Sequence, residues 1–139
     1  MRTLFSVQHN PRNIDIALLL ARVAIGTLML THGLPKIALL EAEPVVFMDF
    51  MGLGAKMSLL LAIFAEVVCS VLIILGLGTR VAAIPLIITM MVAVFIVHSS
   101  DPFSTQEMGL LYLFGYLLLL IMGSGKYSMD SFISKTNVK

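Results

Sequence analysis

The sequence predicts an all-α integral membrane protein, a bundle of four helices that each cross the bilayer. Of its 139 residues, 59% are hydrophobic and only 12% are charged, with a mean hydropathy of +1.02. Soluble domains carry about 25% charged residues. The apolar residues also fall into four runs, each close to the ~20 residues a helix needs to cross ~30 Å of hydrocarbon. Between the runs lie short segments rich in glycine, proline and aspartate. Backbone groups in lipid must be satisfied within their own segment, so each run is read as a helix.

The first span is placed at residues 14–34, ended by Gly33 and Pro35. Its length, and the lack of an A-x-A-like cleavage site after it, make it a span rather than a signal peptide, although Arg2 and Arg12 precede it. Residues 35–56 form the longest connection. Its second half, with VVFM and FMGL, is amphipathic enough for a short helix lying at the interface, with an irregular loop as the alternative. The second span, 57–77, ends at Gly76-Leu77-Gly78. The turn after it is so short that spans two and three must be antiparallel neighbours. The third span, 81–99, carries Pro85 near its start and ends at SSDP. The fourth, about 105–122, ends at GSG and leaves a tail over 123–139. The whole chain, 1–139, reads as one membrane domain without repeats.

Several function classes are excluded. The net charge of +1 and the lack of a basic patch argue against nucleic acid. A single cysteine, Cys69, cannot form an internal disulfide. GLGTR is a turn between helices, not a strand-to-helix phosphate loop, so there is no nucleotide or flavin fingerprint. Lysines and arginines divide unevenly between the two ends: Arg2, Arg12, Arg80, Lys126, Lys135 and Lys139 against Lys36 and Lys56. The positive-inside rule then puts both termini in the cytoplasm of a bacterial or archaeal cell membrane.

Glu66 is the one ionisable group in its run, MSLLLAIFAEVVCSVLIILGLG. A carboxylate in mid-bilayer costs roughly 2.5–3.5 kcal/mol on insertion scales, so it needs a partner or a task. At 1.5 Å per residue, Arg22 lies about 12 Å from one edge and Glu66 about 13–14 Å from the other, which predicts an Arg22–Glu66 ion pair. The same arithmetic gathers His32, Lys36, His98, Asp101, Gln106 and Glu107 at one end of the bundle. Such a cluster could hydrogen-bond the head group of a quinone, cap helices at the wet interface, or bind a metal through His32, His98 and Glu107. No H-x-x-H or E-x-x-H spacing supports the metal, so none is predicted. Haem held between His32 and His98 is a further arrangement that a four-helix bundle allows. Tyr112 and Tyr116 share a face of span four and read as packing. Ser58, Ala62, Ala65 and Cys69 form a small-residue stripe that lets a neighbouring helix approach.

These residues, in order, resemble the DoxX family of small four-span membrane proteins. The family's first helix carries an arginine, then HG and a lysine, here Arg22, His32, Gly33 and Lys36. Its second carries a glutamate before a GL-x-TR turn, here Glu66, Gly76, Leu77, Thr79 and Arg80. A histidine ends the third helix (His98) and a glutamate opens the fourth (Glu107). A closing G-x-G-K-Y-S-x-D signature is matched by Gly123, Gly125, Lys126, Tyr127, Ser128 and Asp130. The resemblance covers about residues 14–133, and Pro85 is the main departure. It implies a four-helix membrane bundle. The family takes its name from a relative of the DoxD subunit of thiosulfate:quinone oxidoreductase. Its members are described as proposed oxidoreductases or redox-complex subunits, most without an assigned activity.

The leading expectation is therefore a membrane subunit of a redox system that binds quinone or a similar amphipathic ligand. His32, His98 and Glu107 would contact the head group, with Lys36 beside them and Arg22 and Glu66 as the floor. Electrons would come from a partner redox protein or a bound cofactor. The alternatives are an assembly subunit whose buried charges only specify packing, and a small transporter working as a homo-oligomer.

Overall fold

The structure is a computed structural model that describes residues 10–136. Among the described residues there are four helices long and apolar enough to cross a membrane: Pro11–Glu41, Ala55–Leu75, Thr79–Val97 and Phe103–Met122. We denote their helical parts α1 (Pro11–Ala38, closed by a 3-10 turn at Leu39–Glu41), α2, α3 and α4. A fifth helix, α5 (Met129–Thr136), follows in the tail. No strand occurs among the described residues. Arg2 and Lys139, which enter the charge count above, lie outside the described residues.

Local chemistry explains the boundaries. Asn10 caps α1 by accepting a hydrogen bond from the Arg12 N–H at 3.0 Å, and Pro11 takes the first helical position, where no N–H is needed. Pro35 does not end the helix as expected. It lies within the last turn, and α1 continues to Ala38. α2 stops at Gly76, whose left-handed backbone (φ +70°) closes a Schellman-type end with Leu77 N–H donating to Leu72 C=O at 2.9 Å. A side chain at Gly76 would also strike the Arg22 guanidinium. α3 continues through Pro85, with the Thr89 hydroxyl donating to the Pro85 carbonyl at 2.9 Å.

Of the two readings of the long connection, the irregular loop holds and the short interfacial helix does not. Residues 42–54 form no helix, and the amphipathic pattern there belongs to an irregular loop. Ser58 ties that loop down by accepting from the Phe50 N–H and donating to the Gly54 C=O, both at 2.9 Å. The described part of the tail contains α5 (Met129–Thr136). Its backbone Asp130 N–H donates to Gly76 C=O at 3.0 Å, and Asp15 Oδ1 accepts from the Lys126 N–H at 2.9 Å. The tail therefore closes the end of the bundle at which the N-terminal end of α1 also lies, called here the terminal face.

α1 packs along α2, and α3 packs along both α2 and α4. Leu18, Arg22, Gly26, Met29 and Gly33 form the buried stripe of α1 at three- and four-residue spacing. A Cβ on Gly33 would lie 2.8 Å from Glu66 Cβ, and one on Gly26 would lie 3.1 Å from the Ser70 carbonyl oxygen. These glycines let the two backbones approach and set their register. The core comprises Met29, Cys69, Ile73, Leu86, Met90, Tyr116 and their neighbours. Large apolar side chains such as Leu20, Val81, Phe95, Leu111 and Phe114 face outward, as the lipid phase requires.

Candidate functional site

The register places Glu66 level with Gly33, so Arg22, eleven residues earlier, sits about 16 Å away along the helix axis. The expected Arg22–Glu66 pair is not made. The depth arithmetic fails because α1 starts earlier than the apolar run suggests and is shifted towards the terminal face relative to α2. Glu66 is paired instead with Lys36: the ammonium donates to Glu66 Oε1, with side-chain exposures of 28% and 3%. Lys36 reaches it because α1 continues past Pro35 and keeps Lys36 one turn beyond His32 and Gly33. A buried carboxylate beside a half-buried ammonium is the arrangement a bilayer tolerates.

Glu66 lies in a π-helical stretch, Phe64–Cys69, and a second one, Ala93–Val97, ends α3 at His98. The extra residue per turn changes which side chains face inward, and such segments recur at functional sites. Both border a cavity of about 190 Å³ lined by His32, Lys36, Glu66, His98, Gln106 and Tyr112 among others. Four of the six sequence candidates are thus brought together. Glu107 is exposed on α4 and does not line the cavity; Gln106, beside it, does. Arg22 is at the other end, fully buried, donating to the Tyr127 carbonyl at 2.5 Å and to the Ile73 carbonyl at 3.4 Å.

The geometry suits a polar head group. Glu66 Oε2 is buried without a hydrogen-bond partner and remains available as an acceptor. His98 Nδ1 lies 2.6 Å from Asp101 Oδ2. In the neutral tautomer that donates from Nδ1 to Asp101, Nε2 is an acceptor. Gln106 Nε2 donates to the His98 carbonyl at 2.8 Å and the Asp101 carbonyl at 3.0 Å, which fixes the 98–101 turn against α4. His32 packs edge-on against Tyr112, with ring centroids 5.7 Å apart, and Tyr112 stacks on Tyr116 at 6.2 Å. Tyr112 forms one wall of the site, with Tyr116 buried behind it in the core; their four-residue spacing alone points equally to packing. Beneath them lie the buried hydroxyls of Tyr116 and Ser70. Among the described residues no three metal-ligating side chains converge.

A four-span membrane bundle with an ion pair, two histidines and a tyrosine around one small cavity is the class of protein defined here. The chain belongs to the DoxX family, whose sequence model matches residues 17–99. It is similar to "Putative oxidoreductase CatD" of Bacillus subtilis (strain 168), with 30% identity over 125 residues, 89% of this chain and 92% of that protein. No solved structure gives a significant match.

Proposed function

We propose that the protein is the membrane subunit of a redox system and binds quinone, or a similar amphipathic ligand, in the cavity around Glu66. The observation that carries this reading is the free, buried Glu66 Oε2 in a cavity that also holds Lys36, His32 and His98. Lys36 and His32 can donate to the carbonyl oxygens of a quinone, and Glu66 Oε2 and His98 can accept from the hydroxyls of its reduced form. The cavity is smaller than the roughly 300–1,000 Å³ of whole-ligand pockets, so it takes the head group while the apolar tail runs out between helices. The terminal face lies in the cytoplasm of a bacterial or archaeal cell, which puts the quinone site near the outer surface. A partner redox protein exchanges the electrons. The oxidoreductase name of the Bacillus relative supports the redox class.

The test is quinone binding by the purified protein in mild detergent. Glu66→Gln and His98→Ala are each expected to weaken binding about tenfold, the loss of one hydrogen bond to a charged or buried partner. Unchanged affinity in both variants overturns the site. An assembly role for buried charge is favoured at one position, Arg22, whose two terminal guanidinium nitrogens donate to backbone carbonyls.

A further inference from the structure

We infer that the terminal face carries a second, separate site, built for a zwitterionic phospholipid head group whose phosphate rests on Arg80 and Thr79 and whose ammonium rests on Asp130. An open cavity of about 370 Å³ lies between the GLGTR turn and the tail, lined by Thr79, Arg80, Gly123, Ser124, Gly125 and Asp130 among others. Thr79 is 1% exposed, and its hydroxyl has no hydrogen-bond partner. It sits at the first turn of α3, where free N–H groups and the helix dipole favour an anion. Arg80 follows it and donates one N–H to the Ile121 carbonyl at 3.2 Å, leaving the rest of its fork for a phosphate.

Asp130 decides the kind of ligand. Its Oδ1 accepts from the Gly78 N–H at 2.8 Å, so a carboxylate already stands at the edge of the cavity. Neither Asp130 nor Arg80 makes a direct ion pair among the described residues; Arg22 is a cation that acts on Asp130 at longer range. A plain anion would meet Asp130, and a plain cation would meet Arg80 and the positive helix end. A phosphoethanolamine group carries both complementary charges. Val81 and Ile121 beside the cavity are 73% and 71% exposed, an apolar flank for acyl chains, so the source is a membrane lipid rather than a soluble phosphoester.

The test is native mass spectrometry of the intact protein in neutral detergent, titrated with dioleoyl lipids bearing ethanolamine, choline or glycerol head groups. The ethanolamine lipid is expected to be retained about tenfold better than the other two, because choline has no N–H for Asp130 and glycerol has no cation. Arg80→Gln, Thr79→Val and Asp130→Asn should each reduce that retention severalfold. Equal retention of the three lipids by the unaltered protein, a comparison that needs no variant, overturns the proposal. So does retention unaffected by both Arg80→Gln and Asp130→Asn. Soluble phosphoethanolamine that binds as tightly as the lipid overturns the lipid assignment; displacement only at far higher concentration supports it.

Discussion

Lys36 and Arg22 show how a half-buried and a buried cation in one helix take different roles. Lys36 faces a carboxylate with a free oxygen in a cavity; Arg22 faces carbonyls in a sealed seam. Removing the ammonium leaves a buried carboxylate without compensation. Lys36→Met is therefore expected to destabilise the detergent-solubilised protein by about 3 kcal/mol, and the double change Lys36→Met with Glu66→Gln to recover most of it. Thermal unfolding of the three proteins checks this; no recovery in the double variant would show that the pair is not what couples them. Arg22→Met should also cost about 3 kcal/mol, since two charge-assisted hydrogen bonds are lost. It should also speed tryptic cleavage at Lys126, because Arg22 holds the Tyr127 carbonyl. Quinone affinity should stay unchanged, as the site is about 16 Å away.

At the scale of the elements, register decides which residues meet. Gly33 against Glu66 and Gly26 against Ser70 and Ile74 align α1 with α2. Gly33→Leu forces these backbones apart and is expected to destabilise the bundle by about 1–3 kcal/mol while weakening quinone binding, because Lys36 and Glu66 separate with them. A variant that keeps both properties would contradict the register. The four spans were legible from length and hydropathy alone, as was the closeness of α2 and α3 from their short turn. The π-helical stretches were not, since nothing in FAEVVC or AVFIV departs from an ordinary apolar run. Pro35 misled for a related reason. In the last turn of a helix a proline removes little, so it does not mark the end that its identity suggests. α5 was missed because eight residues with two charges carry too little apolar signal against a tail reading.

For the whole molecule, the lysine and arginine distribution predicts orientation. With the buried native Cys69 as the sole thiol background, Met51→Cys should react with a membrane-impermeant maleimide in intact cells. Lys135→Cys should react only after permeabilisation. The reverse pattern would turn the protein over and place the proposed quinone site on the inner side.

The sequence by itself determined the class of the molecule: four apolar runs of spanning length in a medium that offers the backbone no hydrogen bonds allow little but a helical bundle. It also determined which polar residues are expensive there, and His32, Lys36, Glu66 and His98 do line one cavity. Only the tertiary structure decided which charges pair. Depth counted along each run is uncertain by a turn or more, whereas an ion pair depends on a few ångströms. The relative slide of α1 and α2, fixed by glycines seven residues apart, gave Glu66 to Lys36 and left Arg22 to the tail.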